Sequence, residues 1–254
     1  MRCRHQATLF LWVALLLVAC APSGDGPDTV NLYELVQQEG RWVMPGRDGV
    51  DIPFTGTAVS HHPNGRIHQR TQFRGGRKHG RESFWHPNGR LQFQGTYTNG
   101  LLDGSSTHWH DNDQKKREAN HRQGAPDGLE HQWYRNGQTM LEATWDQGRL
   151  KQAASYRDNG EKTGVVEQGN GKIYSYYPNG DKMTEDTYVN GVREGPALYW
   201  HANGRMGRHV NYANGQPHGE GTQWKADGKI LRRETWDRGR LVRQDTPDHN
   251  RTGP

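Results

Sequence analysis

Apolar and polar residues alternate along most of this chain in short runs, each cut off by a glycine. Between Gly80 and Gly104, Arg-Glu-Ser-Phe-Trp leads into Pro87-Asn88-Gly89, and Leu-Gln-Phe-Gln-Gly-Thr-Tyr-Thr leads into Asn99-Gly100. A side-chain period of two is strand patterning, and Pro-Asn-Gly and Asn-Gly carry the turn residues of hairpins. The pattern predicts Trp85 opposite Leu91 across the first turn. It also predicts one apolar, aromatic face with Leu91, Phe93 and Tyr97, and a polar face with Glu82, Gln92 and Gln94.

The unit recurs. Its turn glycine returns as Gly65, Gly89, Gly137, Gly180, Gly204 and Gly228, and Asp113 fills the place between Gly89 and Gly137. Steps of 24 residues separate 65 from 89, 180 from 204, and 204 from 228. Four residues before these turn positions stand His61, Trp85, Trp109, Trp133, Tyr176, Trp200 and Trp224. Eight residues after them stand Phe73, Tyr97, His121, Trp145, Tyr188, Tyr212 and Trp236. A fixed period with glycine punctuation predicts an array in which each unit touches only its neighbours. The expected fold is all-β: an elongated single-layer antiparallel β-hairpin meander of about seven 24-residue repeats with an N-terminal cap hairpin.

The repeats fall into two blocks, 54–150 with four units and 171–242 with three. Thr144-Trp-Asp-Gln-Gly-Arg-Leu150 ends the first and Thr235-Trp-Asp-Arg-Gly-Arg-Leu241 ends the second in nearly the same words. Gly56 to Gly65 and Gly171 to Gly180 open them alike. The irregular stretch 151–170 between them carries its own hairpin signal at Asp158-Asn159-Gly160, so strands are expected to continue through it with a bend. Residues 31–53 form the cap, with a loop from Gly46 to Pro53. Residues 20–30 are a Pro/Gly-rich tether, and the polar tail 243–254 is expected to be disordered.

Composition narrows the function. A hydrophobic content of 31% and a mean hydropathy of −1.11 leave little for a thick core, which an array does not need. Basic and acidic residues are interspersed, and removing Arg2 and Arg4 with the leader lowers the net charge from +5 to +3. Nucleic acid is therefore not an expected partner. Residues 1–19 have a basic start and a short apolar run, as secretory signals do. The sequence Leu17-Val-Ala-Cys20 resembles the lipobox of bacterial lipoproteins. That resemblance implies cleavage before Cys20, acylation of its sulfur and amine, and, with Ala21 following, a periplasm-facing place on the outer membrane. Cys3 and Cys20 are the only cysteines.

Tyr97-Thr-Asn-Gly-Leu-Leu-Asp-Gly104, Tyr188-Val-Asn-Gly-Val-Arg-Glu-Gly195 and Tyr212-Ala-Asn-Gly-Gln-Pro-His-Gly219 are similar to the MORN repeat. The interleaved Pro-Asn-Gly turns look like its bacterial variant, found in YwqK-type antitoxins. Over roughly Phe54 to Leu241 the resemblance implies a non-catalytic role in recognising a protein or a membrane, with an antitoxin or immunity protein as one branch.

Fourteen histidines invite a metal. His62, His86, His110 and His201 share one repeat position, but equivalent residues of neighbouring repeats lie about 9.6 Å apart, too far to share an ion. His108 and His110 share a face without a third ligand. They are expected to be exposed strand residues, and no metal or cofactor is expected. Asp103, Asp127 and Glu194 read as turn carboxylates. The candidate binding surface is the ladder of Trp and Tyr rungs in the two aromatic series, for a protein partner or, alternatively, for cell-wall glycan.

Overall fold

The computed structural model describes residues 29–46 and 48–246. The signal segment, Cys20 and residues 21–28 of the tether lie outside the described residues. The expected fold is present: strands succeed one another in a single long sheet, and the only helical turn among the described residues is the 3-10 turn Leu32–Glu34. No helix among them is long and apolar enough to cross a membrane.

Nineteen strands make the main sheet. Thr29–Asn31 runs parallel to Gly56–His61, and from there successive strands pair antiparallel along the chain to Arg240–Asp245, with Val192–Arg193 and Gly195–Trp200 both pairing with Lys182–Val189 as one interrupted strand. A smaller sheet of Val36–Gln38, Arg41–Met44 and Ile52–Pro53 forms the cap. The ends differ from expectation in detail. Thr29–Asn31 is a strand that begins inside the expected tether, and Ile52–Pro53 is a strand inside the expected loop. The last strand reaches Asp245, past the expected end of the second block.

The Pro-Asn-Gly turns are closed by paired backbone bonds, as from His62 N to Arg66 O (2.8 Å) and Gly65 N to His62 O (2.9 Å). Asp113 adopts φ +68° where the other repeats place glycine, so it does fill the middle turn. On the opposite margin, Asn99 (φ +53°) and Gly100 (φ +90°) make the two-residue turn with both φ values positive that suits twisted strands.

Two small apolar clusters replace a continuous core. One joins Val30, Leu35, Phe54, Ala58 and Phe73, with Trp42 and Met44 against it; the other joins Leu141, Ala143, Leu150, Ala153, Val166 and Tyr188. Each sits where a block begins, and each is sealed by the same ring of backbone bonds. Trp42 N donates to Gly76 O (2.8 Å), Gly76 N to Phe54 O (2.8 Å), and Phe54 N to Trp42 O (3.0 Å). Leu150 N donates to Gly191 O, Gly191 N to Gly169 O, and Gly169 N to Lys151 O, each at 2.9 Å. Strands Arg149–Tyr156 and Lys162–Glu167 do continue through 151–170. Physically, that stretch is the start of the second block, built like the start of the first.

Candidate functional site

The margins of the sheet account for most of the polar residues singled out by spacing. His62 Nε2 meets Trp85 O at 2.8 Å, His110 Nε2 meets Trp133 O at 3.2 Å, and His201 Nε2 meets Trp224 O at 2.9 Å. Tyr134 and Tyr177 do the same with their hydroxyls, donating to Tyr156 O and Trp200 O at 2.8 Å. These histidines are half-buried rather than exposed, because each ties its repeat to the next. His86 departs from the series: its Nε2 is buried without a partner. Asn64, Asn112, Asn179 and Asn203 add a second tie, donating to the carbonyl 23 residues on. On the other margin Asp103, Asp127 and Glu194 accept from the backbone N–H 20 residues ahead, as turn carboxylates should. Among the described residues no three His, Cys, Asp or Glu side chains gather as a metal site.

The two aromatic series do not share a face, contrary to the alternation read from the sequence. Trp85 does pair with Leu91, but Phe84 pairs with Phe93, so Gln92 is an extra residue and the register shifts. This is a β-bulge. Trp85 adjoins Phe84 and so faces away from it, while Tyr97 lies four residues from Phe93 and faces with it. The same shift recurs at Trp133, Tyr176, Trp200 and Trp224. Trp85, Trp133 and Trp200 therefore lie on the outer face, half-buried, with Arg70, Lys115 and Lys182 over their rings at 6.0, 5.9 and 5.2 Å. Trp109 and Trp224 are also half-buried, and Tyr176 is buried under Arg157.

The inner series has another partner. Phe73, Tyr97, His121, Trp145, Tyr188, Tyr212 and Trp236 each lie across the strand pair from a glycine: Gly56, Gly80, Gly104, Gly128, Gly171, Gly195 and Gly219. A ring over a strand glycine covers backbone that would otherwise be open. These rings serve the sheet, and Trp145 also lines a cavity.

Between them runs a row that alternation did not reveal. Cross-strand partners Ala58, Thr71, Glu82, Gly95, Ser106, Ala119, Glu130 and Ala143 cross the first block, and Ala153 and Val166 carry the row into 151–170. The second block has Ile173 with Asp186, then Ala197, Val210, Gly221 and Glu234. Most of the row is small, yet it holds carboxylates. Glu82, read as part of the polar face, is only 1% exposed, and Glu130 and Glu234 are 3% exposed. Each acid has a cation: Lys78 on Glu82 (2.7 Å), Arg117 on Glu130 (2.6 Å), Arg193 on Asp186 (3.2 Å), and Arg232 on Glu234 (2.8 Å). The signal was present in the sequence, since Glu82 and Glu130, and likewise Asp186 and Glu234, stand 48 residues apart.

Glu130 and Asp186 line the same cavity, about 500 Å³, where the inner faces of the two blocks meet. Leu141, Trp145, Ile173 and Tyr188 supply its apolar wall, and Gln132, Ser175 and Thr184 its neutral polar groups. Burial pushes the Glu130 carboxyl up, but the hydrogen bond and charge of Arg117, with Gln132, hold it below the ordinary range. At Asp186 burial dominates and Arg193 opposes it only in part, so that carboxyl titrates above the ordinary range.

The last strand is built like the strand that opens the second block. Trp145 pairs with Leu150 and Asp146 with Arg149, with a bulge before them; Trp236 pairs with Leu241 and Asp237 with Arg240, with the same bulge. Leu150 is 0% exposed under its ring of turns, whereas Leu241 is 41% exposed and Val242 47%.

Among curated proteins no sequence matches the chain. Similar solved structures include "Crystal Structure of TcdB2-TccC3-Cdc42" (10% identity, 78% of this chain and 14% of that chain, TM-score 0.19). Others are "ASR Alternansucrase in complex with isomaltononaose" (14% identity, 79% and 16%, TM-score 0.16) and "Crystal Structure of TcdB2-TccC3-TEV" (11% identity, 78% and 12%, TM-score 0.20). The chain thus spans about a seventh of such chains, and at these TM-scores nothing about its function follows from them. Two segments, 78–99 and 170–190, match the family described as the MORN repeat variant.

Proposed function

We propose that the protein is a non-catalytic, membrane-tethered recognition module that takes a strand of a partner protein onto its C-terminal edge. One observation carries this reading: Thr235 to Leu241 repeats the sequence and register of Thr144 to Leu150, yet among the described residues Leu241 stays 41% exposed where Leu150 is fully buried. An edge strand offers unpaired N–H and C=O groups, and an extended partner segment can add to it by main-chain bonding. Arg243 pairs with Asp245 at 2.8 Å, so Arg240 sets the strand's net positive charge and favours an acidic segment. A toxin held by its immunity protein is one such partner, consistent with the antitoxin resemblance. As an open ladder the outer series is a weaker glycan platform than its spacing implied, because Trp85, Trp133, Tyr176 and Trp200 lie under cations.

A photo-crosslinking residue at position 241 should give one discrete protein adduct in cells, lost in Val242→Pro with far-UV circular dichroism unchanged. No adduct at 241, or one insensitive to Val242→Pro, rules the edge out. The tether is tested separately: Cys20→Ser should move the protein from the membrane to the soluble fraction and abolish labelling by a palmitate analogue.

A further inference from the structure

We propose that the cavity between the two blocks binds an uncharged polyhydroxylated ligand, a saccharide of about one or two rings. The volume, about 500 Å³, is in the usual range for a small-ligand site. Its walls come from both blocks. Arg117 and Glu130 stand on the first, and Asp186 and Arg193 on the second.

Charge sets the class. Two guanidinium groups and two carboxylates cancel, so the site has no net charge to favour a phosphate, a carboxylate or a metal ion. Four charged groups equally exclude an acyl chain. Bonding narrows the class further. Arg117 and Gln132 both donate to Oε1 of Glu130, at 2.6 and 2.7 Å, which leaves Oε2 to accept from the cavity. Arg117 and Arg193 engage their acids through Nε, and Trp145 Nε1 is buried beside Glu130 without a full hydrogen bond to it. Spare donors and a spare acceptor thus face one space, together with the hydroxyls of Ser175 and Thr184, which meet at 2.6 Å. A sugar hydroxyl both donates and accepts, and its ring carbons suit the partly buried side chains of Trp145 and Ile173 on the cavity wall.

The test is titration calorimetry on the full chain in detergent, with maltose, cellobiose and N,N′-diacetylchitobiose as probes and glycylglycine as a zwitterionic control. At least one disaccharide should bind saturably. Trp145→Phe, which keeps a ring and removes the N–H, should weaken it about tenfold, the value of one hydrogen bond. Glu130→Gln should weaken it further, and Trp224→Phe, on the outer face, should bind as the wild type. No binding by any disaccharide at about 10 mM, binding of glycylglycine alone, or unchanged affinity in Trp145→Phe overturns the proposal. Thermal melts establish folding, and Trp145→Phe decides alone should Glu130→Gln not fold.

Discussion

Each ring eight residues past a turn sits across from a glycine, and this pairing keeps the two residue types in phase. The spacing of both was plain in the sequence. That they meet was not, because register becomes visible only once strands are aligned. The glycines are not equivalent in what they tolerate. A Cβ on Gly128 (φ +99°) would have no neighbour closer than Asn120 Cβ at 3.6 Å, whereas one on Gly191 (φ +80°) would stand 2.8 Å from Leu150 O. Gly128→Ala should cost about 1 kcal/mol, from the backbone conformation alone. Gly191→Ala should cost about 2–4 kcal/mol, because the sealing ring must open as well; urea unfolding of the two variants checks the order. The buried acids make a pH prediction of opposite signs. Glu130, held low in the fold, contributes stability above the unfolded value near 4.3, and loses it as pH falls through the lower folded value. Asp186, held high, contributes only below the unfolded value near 3.9, and loses it as pH rises through the higher folded value. Between about pH 3 and pH 7 the deficit of Glu130→Gln should therefore widen with rising pH, reaching about 2–3 kcal/mol, while Asp186→Asn should gain on the wild type.

Hairpins were legible as elements because turn chemistry is local: Pro-Asn-Gly and Asn-Gly dictate their own backbone. The faces were not legible, because one bulge per hairpin inverts the alternation and Gln92 looks like any other strand residue. A histidine three residues before a turn likewise looks solvent-facing until the next hairpin arrives to present a carbonyl. The repeat-to-repeat ties predict a contrast between two otherwise equivalent positions. His110→Ala removes a bond to Trp133 O and should cost about 1 kcal/mol. His86→Phe removes a buried nitrogen that has no partner, and should be neutral or stabilising. Denaturant midpoints at equal slope distinguish the two.

For the molecule as a whole, the period foretold a long sheet with little core, and the two matching block endings foretold the duplication. The nature of 151–170 escaped because it lacks the repeat signature: what it shares with the cap is a closure made of backbone groups, which leave no residue code. Stability should follow that architecture. Leu150→Ala opens a fully buried site in the junction cluster and should cost about 2–5 kcal/mol. Amide exchange should be slowest around Leu141, Ala153 and Val166 and fastest along Arg240–Asp245, where every residue is exposed. Equal protection at both places would contradict the nearest-neighbour picture.

Side-by-side pairing also has a mechanical meaning. Hydrogen bonds between antiparallel strands lie across the strands, so the hairpins are joined in series, like links. Tension applied between Thr29 and Asp245 would load one strand pair at a time and peel the sheet from its C-terminal end, where among the described residues no ring of turns clasps the last link. The two clasps would act as stops, dividing the extension of the chain into steps the length of a block.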